Sequence, residues 1–152
     1  MVNLAHSASF DSEDKDAPSK PGIKHLAHGA GASMDSTLMN AMAKSLASAG
    51  LRVARFEFAY TAARRPGDGR KPPPKAERLL SEYVAAVDDL GPTTGPLIIG
   101  GKSMGGRVAG MVSNPFFEAG WVAGLLCLGY PFHPRKRPNQ VLKTLQHNRS
   151  AS

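Results

Sequence analysis

The chain has 152 residues, 41% of them hydrophobic and 20% charged, and its 19 Lys and Arg outweigh 12 Asp and Glu to leave a net charge of +7. That is one domain's worth of polypeptide with enough apolar side chains for a core, which excludes wholesale disorder, a collagen-like repeat and a coiled coil. The longest mostly apolar run, Ala119 to Phe132, is broken by Gly, Tyr and Pro and falls short of the roughly 20 residues that span a bilayer, so no transmembrane helix is expected.

Residues 1–21 are rich in Ser, Asp, Lys, Ala and Pro, a composition that cannot repay ordering entropy, and read as a disordered leader. They hold no Lys or Arg before Lys15 and no apolar block, hence no visible secretory or transit signal, and the cytoplasm is the expected compartment. From Gly22 short apolar runs alternate with helical periodicity, the pattern of an α/β domain with a mainly parallel sheet of about four strands, expected over residues 22–134. Ile23 to His28 is a first strand ending in the small-residue turn His28-Gly29-Ala30-Gly31. Asp35 is placed to cap a helix whose Leu38, Met39, Met42 and Leu46 share one face, with Gly50 at its end. Leu51 to Phe58 is the second strand. A Pro- and Arg-rich loop follows from Ala59 to Lys75, and then a helix carrying Leu79, Leu80, Tyr83, Val84, Val87 and Leu90 runs up to Gly91-Pro92. Leu97-Ile98-Ile99 is a third strand, Met104 to Ser113 a helix, and Val122 to Leu128 a fourth strand. Residues 135–152 read as a basic, disordered tail. The positive charge is concentrated between Arg64 and Arg78 and in that tail, and the rest of the chain is slightly acidic. The one cysteine, Cys127, lies in the fourth strand and is expected to pack as a small hydrophobe.

Gly101-Lys102-Ser103-Met104-Gly105 has the form G-x-S-x-G between a strand and a helix. A serine at such a turn takes a strained backbone, and the residues two before and two after it must be small for strand and helix to approach. Gly101 and Gly105 meet that need, and Gly106 strips a further side chain from the first turn. The backbone N–H of Met104 is the expected first donor to an oxyanion. The loop at Gly29, Ala30 and Gly31 follows the preceding strand of such a sheet, where the backbone near Ala30 would supply a second donor. His28, Gly29, Gly31 and Lys102 are placed to flank substrate; for His28 a structural hydrogen-bonding role is the plainer alternative to catalysis, and for Lys102 a solvated position.

Four blocks in order, His28-Gly-Ala-Gly-Ala-Ser-Met-Asp35, Arg55-Phe-Glu-Phe58, Gly100-Gly-Lys-Ser-Met-Gly-Gly-Arg107 and Cys127-Leu-Gly-Tyr-Pro-Phe-His-Pro134, resemble the α/β-hydrolase-like family that includes the NSL-complex subunit and the testis-expressed hydrolase-like proteins. The resemblance covers roughly residues 23 to 138. It implies a partial α/β-hydrolase fold with Ser103 as nucleophile, and by analogy with the wider dienelactone-hydrolase-like group it implies small esters or lactones as substrates.

In that fold the acid and the histidine of the triad follow the nucleophile on later strands. After Ser103 the sequence offers only Glu118, His133 and His147. Glu118 precedes the fourth strand, at the wrong end of the sheet. His147 lies in the polar tail. His133 follows the fourth strand on the same edge as Ser103 and is the candidate base, against the alternative of a loop histidine held between Pro131 and Pro134. Glu57 is expected to pair with Arg107. The expectation is of a truncated or frame-disrupted family member whose fourth strand is an uncharged open edge, inviting self-association and leaving the chain marginally stable.

Two functions therefore stand side by side. One is a serine esterase or thioesterase, or its remnant, which needs neither cofactor nor metal. The other is a non-catalytic scaffold that binds a partner. Nucleic-acid binding through the basic loop and tail is the weaker third, because those clusters lack interleaved aromatics for stacking.

Overall fold

A computed structural model describes residues 23–62, 72–91 and 95–132. The first strand, β1 (Ile23–Ala27), is followed by helix α1 (Thr37–Ser48), strand β2 (Arg52–Phe56) and a one-turn helix α2 (Ala59–Ala62). A 3-10 turn, Ala76–Leu79, leads into helix α3 (Leu80–Asp88), and strand β3 (Leu97–Lys102), helix α4 (Met104–Glu118) and strand β4 (Val122–Leu128) complete the order. All strand pairs are parallel and the sheet order is β2-β1-β3-β4. Right-handed crossovers put α1 on one face and α3 and α4 together on the other.

The core lies under α3 and α4. Ala27, Phe56, Ile99 and Val122 from the sheet meet Leu79, Tyr83, Val87, Val108, Val112 and Phe116 from the helices. Burying side chains of this size contributes about 1.5–3 kcal/mol each for the larger aliphatics and aromatics. Tyr83 also carries a polar function that its place on an apolar helix face does not announce. Its hydroxyl accepts the Gly100 N–H at 2.9 Å and donates to the Gly100 carbonyl at 2.8 Å. The strand leading to the site is thus tied to α3 from below, and burial pushes the phenol's pKa up.

Both α1 and α4 end in glycine-closed caps. Gly50 (φ +82°) donates to the Ala47 carbonyl while Leu51 donates to Leu46, and Gly120 (φ +71°) and Trp121 do the same with Phe117 and Phe116. The sequence marked the first of these closures and missed the second. It ended the last helix at Ser113, before Pro115, whereas α4 runs on to Glu118 with Pro115 inside it. Burial of Phe116 against the core holds that extra turn, outweighing the one hydrogen bond the proline cannot make. Other local expectations also change. Ser36, not Asp35, occupies the cap position of α1 and makes no side-chain bond there. The stretch read as loop from Ala59 begins as helix α2, and residues 63–71 of that loop, with the leader and the tail, lie outside the described residues.

Candidate active site

Strand β3 ends against α4 in a turn where Ser103 takes φ +49° and ψ −109°, the single non-glycine residue with positive φ among those described. A side chain held in that region is strained by roughly 1–3 kcal/mol and needs its surroundings to enforce the turn. The enforcement is close packing of backbone on backbone. A Cβ on Gly101 would run into the Ala27 carbonyl, one on Gly105 would stand 2.6 Å from the carbonyl oxygens of both Ala27 and His28, and one on Gly106 would stand 2.7 Å from that of Gly101. The Ser103 N–H is anchored on the Leu128 carbonyl at 2.7 Å. Helix α4 thus starts directly over β1, with the N–H groups of its first turn free of intrahelical partners.

The loop after β1 comes to the same place. Pairing of Ala27 with Gly101 aligns the ends of the two strands, and a methyl placed on Gly29 would sit 3.7 Å from the Cβ of Ser103 and from the Cδ of Lys102. So Ser103, Lys102 and Gly29 are brought together. A Cβ on Gly31, by contrast, would meet nothing within 4 Å, so packing makes no demand for glycine there. A serine beside the free N–H groups of a helix's first turn is suited to attack a carbonyl and to hold the negative charge that develops on its oxygen.

Comparison with known proteins follows the same outline. Residues 24–151 match the model of a family described as an alpha/beta hydrolase domain. The chain belongs to the α/β-hydrolase domain family. The match continues past Pro138, where the motif resemblance ended, to residue 151. Among solved structures, XC6422 of Xanthomonas campestris, described as an α/β serine hydrolase without a lid, superposes with a TM-score of 0.51 at 20% identity over 76% of this chain and 50% of its own. Est1E of Butyrivibrio proteoclasticus, solved with ferulic acid bound, gives 0.50 at 18% identity over 71% and 42%. The chain therefore spans half or less of the length of these α/β hydrolases. Comparison with curated proteins gave no match.

Among the described residues of this α/β-hydrolase domain, the histidine at the end of β1 is engaged away from Ser103. His28 is fully buried; its Nε2 accepts the Phe58 N–H at 3.1 Å, which leaves the ring proton on Nδ1, 2.8 Å from the Gly29 carbonyl. It fixes the turn that carries Gly29 and Ala30. Glu118 is exposed at the end of α4, the edge of the sheet away from Ser103. His133 and His147 lie outside the described residues. Among the described residues the Ser103 side chain makes no cap bond to α4.

The sequence reading missed the groups that hold the loop between β1 and α1. Arg55 is 8% exposed. Its Nη1 donates to the Met34 carbonyl at 2.9 Å and also bonds Asn40 Oδ1, with Asp35 3.8 Å away. Glu57, just past β2, accepts the Met34 N–H at 3.4 Å, so Arg55 and Glu57 between them hold both backbone polar groups of Met34. Tyr60 adds a hydroxyl bond to the Ala30 carbonyl at 3.3 Å. The expected Glu57–Arg107 pair is not formed: Arg107 pairs with Glu77 at 2.9 Å, because the turn before α3 lies nearer its helix face. Cys127 packs behind the elbow with its thiol on the Gly106 carbonyl, and burial raises its pKa, which suits an inert side chain.

Proposed function

We propose that the chain is an α/β hydrolase of the serine type, acting on a small ester or thioester through Ser103. The observation that carries this is the strained Ser103 turn set against the Gly29–Ala30 loop, with glycines where any Cβ would collide. Ser103 is the nucleophile, the N–H of Met104 and the backbone near Ala30 are the oxyanion donors, and His28, Gly29, Gly31 and Lys102 border the substrate. His133 is the candidate base. The four sequence blocks favour the branch that includes the NSL-complex subunit. The compartment proposed is the cytoplasm, where a lone half-buried thiol such as Cys127 stays reduced. None of the described helices is long and apolar enough to cross a membrane.

Labelling by a fluorophosphonate probe tests the reading. The folded chain is expected to label and Ser103→Ala to abolish labelling; absence of labelling in the folded wild type would refute it. Arg55→Ala, which frees the Met34 carbonyl, is expected to lower the labelling rate at least tenfold while the chain stays folded, since a displaced oxyanion donor costs about 3 kcal/mol in comparable sites. An unchanged rate would separate the loop from the chemistry.

A second reading, a non-catalytic scaffold, draws on one observation. Both described histidines are buried, and neither is poised to take a proton from Ser103. Without a base the hydroxyl is a weak nucleophile at neutral pH. A chain that is folded, fails to label and still retains a partner on affinity capture would follow this second reading.

A further inference from the structure

Strand β3 does not run straight into the Ser103 turn. In a regular strand the side chains stand out from the two faces of the sheet, and the backbone N–H and C=O groups point within it to the neighbouring strands. Gly100 exchanges these directions. A Cβ there would be driven into the carbonyl of Leu126, the residue opposite it on β4, so the side-chain direction lies in the plane of the sheet. Its polar groups point instead toward α3, where the Tyr83 hydroxyl accepts the N–H at 2.9 Å and donates to the C=O at 2.8 Å. At Gly101 a Cβ would meet the Ala27 carbonyl of β1, on the opposite side. The chain has thus rolled about its own axis just before Lys102 and Ser103. Between two paired strands such a roll needs residues without a Cβ, and the sequence has glycine at both positions.

A roll of this kind takes the Gly100 N–H out of the ladder, and a buried N–H or C=O left without a partner is costly. One hydroxyl satisfies both groups. Tyr83 is fully buried, and burial pushes its pKa up, so the phenol stays neutral and keeps both its proton and its lone pairs. Its ring lies edge-on to Phe56 at 5.1 Å and to His25 at 5.6 Å between centroids, so the aromatic cluster under α3 fixes where the hydroxyl stands. On the reading that Ser103 is the nucleophile, we propose that Tyr83 is a positioning residue: its hydroxyl holds β3 in the rolled conformation at Gly100, and that conformation sets where Ser103 stands against the Gly29 turn. The connection is short and pinned. Ser103 follows Gly100 by three residues, its own N–H is held on the Leu128 carbonyl at 2.7 Å, and Gly101 and Gly105 are packed against the Ala27 carbonyl. With the hydroxyl gone, the Gly100 groups find partners by turning back toward β1 and β4, and the segment that carries Ser103 turns with them. A reacting atom misplaced by about 1 Å can cost on the order of a hundredfold in rate.

Tyr83→Phe keeps the ring and removes the hydroxyl alone. In fluorophosphonate labelling of the full 152-residue chain, its maximal rate at saturating probe is expected to fall about tenfold or more. The probe concentration giving half that rate is expected to stay at the wild-type value, because the hydroxyl bonds only the backbone of Gly100 and His25 and touches nothing that borders the substrate. The backbone amide signals of Lys102, Ser103 and Met104 in a nitrogen–proton correlation spectrum are expected to move. Val87→Ala trims the same helix and the same core, and is expected to lower the urea midpoint while labelling at the wild-type rate. Replacing Tyr83 by para-aminophenylalanine returns a donor to the Gly100 carbonyl and is expected to recover most of the lost rate. It also decides the matter if Tyr83→Phe does not fold, since the para-amino chain must then fold and label near the wild-type rate. Tyr83→Phe labelling as fast as the wild type, unmoved amide signals, an equal loss of rate in Val87→Ala, or a folded para-amino chain that stays slow would overturn the proposal. A folded wild type that does not label would remove the Ser103 reading and this proposal with it, whereas a wild type that labels beside an indifferent Tyr83→Phe removes the proposal alone.

Discussion

Replacing Gly105 with alanine is expected to destabilise the domain by about 3 kcal/mol, the upper end of what overpacking a rigid site costs. The new Cβ would stand 2.6 Å from the carbonyl oxygens of both Ala27 and His28 and 2.8 Å from the Ala27 carbonyl carbon. All three are backbone atoms of β1 and the turn after it, and Ala27 is itself paired with β2 and β3. Relief therefore requires α4 to lift from the sheet, which opens the core under Val108 and Ala109 and relaxes the Ser103 turn. The same helix supplies its own control. A Cβ on Gly110 would stand 3.7 Å from Leu125 and 3.9 Å from Tyr130, ordinary contact distances. There Gly→Ala removes only the entropic cost of a glycine inside a helix, so Gly110→Ala is expected to stabilise by about 0.5–1 kcal/mol. Denaturant midpoints of the two variants settle the matter: opposite signs are required, and a neutral Gly105→Ala would mean that α4 and β1 are not in close contact at the elbow.

That contrast also shows what kind of information the sequence carried. The elbow was legible because its constraint is written locally, as Leu97-Ile98-Ile99 followed by glycines around Ser103 and then a helical run. The loop after β1 was legible for the same reason, and the strand order that joins the two follows from parallel topology. Arg55 was not legible. Its main partner is the backbone carbonyl of Met34, which leaves no trace in residue identity. Tyr83 was read correctly as a core residue, but the hydrogen bonds it makes to Gly100 depend on how α3 crosses the sheet. The partner of Arg107 was misassigned between two glutamates, Glu57 and Glu77, because that choice rests on where the turn before α3 sits. The length of α4 was underestimated because Pro115 weighs heavily in a local reading and Phe116 acts through tertiary burial.

The domain is expected to lose stability steeply as pH falls from 7 to 5, and His25 is the reason. This side chain is fully buried, stacked on Phe56 at 4.9 Å between ring centroids and edge-on to Tyr83 at 5.6 Å, and among the described residues neither ring nitrogen has a hydrogen-bond partner. Burial penalises the imidazolium, and the pKa is lowered from 6.5 to about 4. The Tyr83 phenol beside it stays neutral over this range, its own pKa raised by burial. Between those limits the unfolded chain binds a proton at His25 that the folded chain does not. The contribution is therefore fully present above pH 6.5 and is lost progressively as pH falls toward 4. At 1.36 kcal/mol per unit of pKa difference, the loss is on the order of 2 kcal/mol at pH 5. His25→Leu removes both the titration and the unpartnered nitrogens, and leaves a side chain of similar bulk against Phe56. Its stability at pH 7 is expected to equal or exceed that of the wild type, since an unsatisfied buried polar group costs about 1–3 kcal/mol. Carboxylates titrate alike in both proteins, so the difference between the two stability–pH curves isolates His25. Urea midpoints at pH 7, 6 and 5 should diverge by that amount, with the variant gaining as the medium becomes more acidic. Parallel curves would mean that the imidazole is charged or solvated in the folded state, and that β1 does not lie under α3 as described.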